Sequence, residues 1–96
     1  MTTKQRSKLR SLAQTIEPIG QIGKGGISDN MIAGLSSALE ARELIKVTVL
    51  KNAEDEAKYL ADDLAAELNA EVVCTIGHKI LLYRRSLKDG VKHIEF

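Results

Sequence analysis

The sequence is poor in cysteine, proline and long apolar runs, and each shortage excludes a class of protein. Cys74 is the only cysteine among the 96 residues, so the chain forms no internal disulfide and no zinc site built on cysteines. No apolar run approaches the ~20 residues that a membrane-spanning helix needs. The charged N-terminus has no apolar stretch behind it, as a secretory signal would. Together these absences predict a protein of the reducing cytoplasm.

Aromatic residues are also scarce: Tyr59, Tyr83 and Phe96 are the only ones. A domain that reads single-stranded RNA by stacking bases on its sheet needs more exposed rings than this. If the protein binds nucleic acid, we therefore expect it to contact phosphates and to recognise shape.

The chain has the composition of one globular domain, with 44% hydrophobic and 28% charged residues. Its charge is unevenly distributed, because residues 1–24 carry a net +4, residues 53–71 a net −6 and residues 72–96 a net +3. If the two basic ends meet in space, they form a positive face. The alternative is that mixed charges only keep a small protein soluble.

Apolar periodicity predicts an α+β fold of order α-β-α-β-α-β-β, with three helices packed on a four-stranded mixed sheet. Pro18 ends the first helix, Ser28 caps the second, Asn52 caps the third, and Asn69 suits its exit. The helices are expected over 4–16, from 28 to about 39, and over 52–68; the strands over 19–22, 44–50, 72–76 and 79–84. We assign residues 1–85 to a single domain and expect 86–96 to form a loose tail.

The segment Gly23-Lys24-Gly25-Gly26 joins the first strand to the second helix. Glycines allow a ligand to approach the backbone, and free N–H groups at a helix start attract phosphate. Lys24 adds a mobile positive charge. This pattern suits a phosphate-backbone clamp, although a plain turn would look the same. It is neither a Walker loop nor a dinucleotide fingerprint, since the glycine spacing differs from both.

The sequence offers little for catalysis. His78 lies in a predicted hairpin turn and His93 in the tail, and neither has an acid and a nucleophile nearby. Cys74 is in mid-strand and reads as a small buried hydrophobe. Asp62 and Asp63 are adjacent on a helix and therefore point apart. We expect no enzyme activity, no metal site and no cofactor.

Several short motifs resemble the CRM domain (chloroplast RNA splicing and ribosome maturation), most of all its stand-alone bacterial form, the YhbY family. The motifs span roughly residues 3–85 and occur in the family's order: KQR at 4–6, LRSLA at 9–13, PI at 18–19, QIGKGG at 21–26, ELIKV at 43–47 and IGHKILLYR at 76–84.

The resemblance implies a fold like the C-terminal domain of translation initiation factor three. It also implies a non-enzymatic RNA-binding protein that assists assembly of the large ribosomal subunit. The family's glycine loop, likened to that of KH domains, maps onto residues 23–26, and its basic first helix onto residues 4–10. We expect a monomer whose partners are precursor ribosomal RNA and, alternatively, ribosomal proteins.

The candidate RNA-binding residues are the glycine loop and the cations of both basic ends: Lys4, Arg6, Lys8, Arg10, Gly23, Lys24, Gly25, Gly26, Lys79, Arg84 and Arg85. The second hypothesis is an adaptor that docks a basic ribosomal protein through the acidic third helix. The third is an enzyme acting on phosphate esters, which the lack of a metal cluster or activated nucleophile makes the weakest.

Overall fold

A computed structural model describes residues 1–96 as three helices and one four-stranded sheet. In chain order the elements are α1 (Thr3–Ala13), β1 (Gly20–Ile22), α2 (Asp29–Arg42), β2 (Leu44–Val49), α3 (Ala57–Leu68), β3 (Glu71–Ile76) and β4 (Lys79–Tyr83). The strand order is β1-β2-β4-β3, in which β1 runs parallel to β2 and the other neighbours are antiparallel. This confirms the predicted α+β fold with a mixed sheet.

The two faces of the sheet are covered unequally. Helices α2 and α3 cover one face, where Leu39 and Leu64 pack against strand residues such as Val47 in the larger core. On the other face, Leu9 and Ala13 of α1 form a smaller cluster with Leu44, Val73 and Leu81. Helix α1 is the only helix on that face, so part of the sheet surface there stays accessible.

Local signals place several of the element ends as predicted, but the first helix ends at Ala13 with Gln14 as its C-cap, so Pro18 does not end it and residues 14–16 are not helical. The Ser28 hydroxyl accepts a hydrogen bond from the Met31 N–H and caps α2. Asn69 follows α3 in the left-handed conformation, with φ of 52°. In the β3–β4 turn, Gly77 has φ of 57° and His78 has no positive φ, as a type II′ hairpin requires.

The prediction that Asn52 caps the third helix is wrong. Helix α3 begins at Ala57, because the chain first makes a turn in which the Ala53 N–H donates to the Leu50 carbonyl at 3.1 Å. Asn52 lies beside the glycine loop instead, with Oδ1 placed 3.3 Å from where a Cβ on Gly23 would be. The resulting loop, residues 50–56, carries Glu54 and Asp55.

The expectation of a loose tail is also wrong, since residues 86–96 pack back onto the domain. Glu43 is fully buried, and its carboxylate accepts hydrogen bonds from the N–H groups of Ser86 and Ile94, both at 2.7 Å. The Phe96 ring meets the Tyr83 ring edge to face, with centroids 5.1 Å apart. A buried carboxylate needs donors, and the tail supplies them.

Candidate nucleic-acid interface

The glycine loop is an exposed turn with unused hydrogen-bond donors. The Gly26 N–H closes it by donating to the Gly23 carbonyl at 3.0 Å, and Gly26 has φ of 70°. Lys24 and Gly25 are exposed, and their backbone N–H groups donate to no other backbone group. No carboxylate lies within 4.0 Å of the Lys24 ammonium. The turn therefore presents two free amides and one free cation to an anion.

On one side, this loop borders carboxylates. Glu54 and Asp55 line the small cleft between residues 22–26 and the start of α3. Asp29, Asp63 and Glu67 line the groove between the start of α2 and α3.

The start of α2 is accordingly a poor phosphate site, against the expectation from its dipole. Ser28 already caps it, and the acids around it oppose a second negative charge. Of the two parts of the predicted clamp, the turn presents its free amides beside a cation, whereas the helix start has one amide capped by Ser28 and acids around the others.

On the other side, the loop joins a polar row across the accessible face of the sheet. Gln21 pairs with Thr48, and Thr48 pairs with Lys79, so the three side chains share one face and lie side by side. The Lys79 ammonium donates to the Thr48 hydroxyl at 2.8 Å, which holds the cation over the sheet. Lys46 lies on the same face, two residues before Thr48 on β2. This row carries positive charge from β4 towards the glycine loop.

One basic residue of α1 bonds to the sheet, and the other three are free on the surface. The Arg6 guanidinium donates to the carbonyls of Val72 and Val73, at 2.9 and 3.0 Å, and so fastens the helix to β3. Lys4, Lys8 and Arg10 are exposed and have no ion pair within 4.0 Å. Arg10 lies beside Lys46 and Lys79 around a common cavity, so the C-terminal part of α1 adds to the positive face.

The Arg84 side chain connects β4 to two helices. Its guanidinium donates to the carbonyls of Leu68 and Ser36, at 2.7 and 2.9 Å, and pairs with Glu40 at 3.5 Å. These contacts bind the end of β4 to α2 and α3, which cover the opposite face of the sheet.

Arg85 is exposed, but the structure does not bring it to the glycine loop. Arg84 and Arg85 follow Tyr83, which pairs with Leu44 at the start of β2, whereas the loop follows Ile22, which pairs with Val49 at its end. A strand of six residues spans about 17 Å. The two arginines and the loop therefore lie at opposite ends of the sheet.

Sequence reasoning missed Lys46 and Thr48 as members of this surface. The alternation of β2 places both on the face opposite Ile45, Val47 and Val49, and that pattern is visible in the sequence. The sequence does not show the register of β2 and β4, which sets Lys46 opposite Leu81 and Thr48 opposite Lys79.

The groups considered for catalysis are dispersed. Burial raises the pKa of the Cys74 thiol, an effect that the charges of Arg10 and Arg6 only partly offset, so the thiol stays protonated near neutral pH. Nowhere do three or more histidine, cysteine or acidic side chains gather in a way that could hold a metal ion. None of the three helices has the length and apolar character to cross a bilayer.

The molecule is thus a small α+β domain with a basic sheet face on one side of a glycine loop and acidic helices on the other. The CRS1/YhbY (CRM) domain model matches residues 1–84, and the chain belongs to that family.

Relatives share nearly its full length. The Bacillus subtilis protein YqeI, named a probable RNA-binding protein, is 47% identical over 99% of this chain and 97% of its own. A Haemophilus influenzae protein named RNA-binding protein is 34% identical over 90% of this chain and 87% of its own. The solution structure of SAV1595 from Staphylococcus aureus superposes with a TM-score of 0.78 at 47% identity, covering 98% of this chain and 99% of that one.

Proposed function

We propose that the protein binds structured RNA through the glycine loop and the basic sheet face beside α1. The observation that carries the proposal is the change of sign around the loop. The turn itself presents free amides and Lys24, and the Thr48–Lys79 row lies on the sheet face to one side of it. On the other side, Glu54 and Asp55 line a cleft that Lys24 also borders. The names of YqeI and the Haemophilus protein support it.

The sign change also orients the ligand. Phosphates are attracted to the α1 side of the sheet and repelled by Asp63 and Glu67 of α3. An RNA strand that touches the glycine loop therefore runs over Lys79 and Lys46 towards Arg10. Because these contacts are made with phosphates, most of the affinity depends on salt and little on sequence.

We propose further that the RNA is precursor ribosomal RNA of the large subunit, bound by a monomer that assists assembly. This rests on the resemblance to the bacterial YhbY-type proteins. Crosslinking in cells, followed by sequencing of the attached RNA, tests it. Enrichment of large-subunit precursors supports the proposal, and an even scatter over unrelated transcripts contradicts it.

Two matched charge reversals test the surface itself. Lys24→Glu lies on the loop, and Lys88→Glu lies on the exposed tail beyond β4. Both change the net charge by the same amount, so a general charge effect affects them equally. We expect Lys24→Glu to weaken binding of a structured RNA by about tenfold or more and to lower the salt slope by about one.

The Lys88→Glu protein should stay within about twofold of wild type, since surface substitutions away from a site have small effects. Circular dichroism shows whether both variants are folded. An equal loss of affinity in the two variants would remove the loop from the interface.

The acidic groove between α2 and α3 supports a second candidate, an adaptor for a basic partner such as a ribosomal protein. Asp63 and Glu67 lie there with the apolar side chains of Ile27 and Ile32. In the double variant Asp63→Lys, Glu67→Lys, loss of co-sedimentation with ribosomal particles at unchanged affinity for free RNA would favour the adaptor. If this variant keeps both its co-sedimentation with ribosomal particles and its affinity for free RNA, the adaptor hypothesis is excluded.

A further inference from the structure

A small cavity at the C-terminal end of α1 differs from the rest of the basic face. It has a volume of about 130 Å³ and lies between α1 and the β3–β4 hairpin. Its floor is formed by Ala13 and Leu81, both buried, and Ile76 forms an apolar wall with 49% of its surface exposed. A surface whose only role was to attract phosphate would need no apolar floor.

The charged residues that line the cavity are all cationic. Arg10, Lys46 and Lys79 line it from three different elements, and no carboxylate lines it. Lys79 is held in place by Thr48, and Lys46 stands opposite Leu81 across the β2–β4 pair. The charge around the opening therefore selects an anionic ligand.

Gln14, the residue that follows α1, completes the lining and is exposed. Its amide both donates and accepts hydrogen bonds, which suits the edge of a nucleobase. The cavity thus combines an apolar pocket, one amide and three cations, which correspond to the base, the base edge and the phosphate of a single nucleotide.

The volume of the cavity and the accessibility of bases in RNA limit which ligands can occupy it. The volume of about 130 Å³ is close to the ~150 Å³ of an apolar cavity that holds one six-membered ring, so the cavity suits the single ring of a pyrimidine. Bases inside an RNA helix are stacked and paired, and side chains cannot reach them through the narrow major groove. An occupant must therefore be unpaired.

We propose that this cavity binds the base of one unpaired pyrimidine nucleotide of the RNA, with the nucleotide's phosphate on Arg10, Lys46 and Lys79. The inference rests on the proposed function and adds a preference for RNA with a bulged or looped pyrimidine. Ile76 and Gln14, which contribute no charge, are its specific determinants.

Three hairpin RNAs test it: one with a single bulged uridine, one with an abasic nucleotide at the bulge, and one fully paired. The abasic RNA keeps the same number of phosphates at the bulge and lacks the base. We expect the bulged uridine to bind about fivefold or more tightly than the abasic bulge. The methyl signals of Ala13, Ile76 and Leu81 should shift in NMR spectra with the uridine RNA alone.

Ile76→Ser removes the exposed wall, and Leu87→Ser changes an equally apolar side chain that is 88% exposed in the tail. The preference for uridine should fall below about twofold in the first variant and persist in the second. Equal binding of the uridine and abasic RNAs by wild type, or methyl signals that shift equally with both, would overturn the inference.

That failure is distinguishable from failure of the proposed function. If all three RNAs bind equally and Lys24→Glu weakens all three, the RNA interface stands and the pyrimidine pocket falls. If none binds, the proposed function falls as well.

Discussion

Nδ1 of His93 lies 2.6 Å from Oε2 of Glu43, and this contact ties the C-terminal residues to the end of α2. Glu43 follows α2 in the left-handed conformation, with φ of 67°, and its side chain is fully buried. Both carboxylate oxygens are occupied, since the Ser86 and Ile94 N–H groups also donate to them. The tail is therefore part of the folded domain, and one acid organises it.

The first prediction concerns the pH dependence of stability. Burial by itself raises the pKa of Glu43, but the hydrogen bonds from His93, Ser86 and Ile94 together outweigh it and hold the pKa below its ordinary value of 4.5. The unfolded chain then binds more protons than the folded one as the pH falls through this range. Stability should decrease below about pH 4.5, down to the pKa of the folded state.

Glu43→Gln provides the control, because glutamine keeps the shape and does not titrate. Its free energy of unfolding at pH 7 should fall by about 1–3 kcal/mol, because the side-chain NH2 cannot accept a hydrogen bond from the Ser86 or Ile94 N–H that it faces, so at least one of these bonds is lost. Its loss of stability between pH 5 and pH 3 should be smaller than that of wild type, as measured by urea unfolding at each pH. An identical acid dependence in both proteins would place the titrating group elsewhere.

The second prediction separates the two arginines that follow β4. Arg84 donates to carbonyls of α2 and α3, so Arg84→Met should lower the free energy of unfolding by about 2–3 kcal/mol. The exposed Arg85 should tolerate alanine at a cost within about 0.5 kcal/mol. Thermal unfolding measures both. At a temperature where the Arg84→Met protein and wild type are both folded, their RNA affinities should be equal. A loss of affinity in Arg84→Met alone would show that Arg84 contacts RNA.

The third prediction concerns Gly34 in the interior of α2. A Cβ added there would meet no atom within 4 Å, and the residue has no positive φ. Glycine in a helix costs about 1 kcal/mol relative to alanine. Gly34→Ala should therefore raise the melting temperature by about 4–8 °C. RNA affinity should not change, because α2 covers the face opposite the proposed interface; a lower melting temperature would mean that α2 needs close contact at this position.

The order of elements was predictable because its signals are local. The apolar stripe of α3 repeats within one helix, and Ser28 and Gly77 act on residues next to them. The position of the tail was not, because the donors to Glu43 come from residues 43 to 51 positions away. A single glutamate after a helix gives no local sign that it will be buried.

The candidate site divides in the same way. The glycine loop and the basic residues of α1 are recognisable from composition and spacing. Arg84 and Lys46 are both basic residues at or beside strands, and only tertiary packing decides that the first fastens helices while the second lines a surface. The acids beside the loop were equally hidden, because Glu54 and Asp55 are nearly thirty residues further along the chain and reach it through a loop where a helix was expected.

The last prediction uses two neighbouring glycines of the loop as each other's control. Gly25 has no positive φ and free space around it, so the fold accepts a side chain there; Gly26 has φ of 70°, which an L-residue adopts only with strain. Gly26→Ala should lower the free energy of unfolding by about 1 kcal/mol, whereas Gly25→Ala should leave it unchanged or slightly higher. If RNA phosphate approaches the free amide of Gly25, the methyl group of Gly25→Ala blocks it, and affinity should fall several-fold without loss of stability. Measured by RNA titration and thermal unfolding together, full affinity in a stable Gly25→Ala protein would show that the backbone of the turn makes no close contact with RNA.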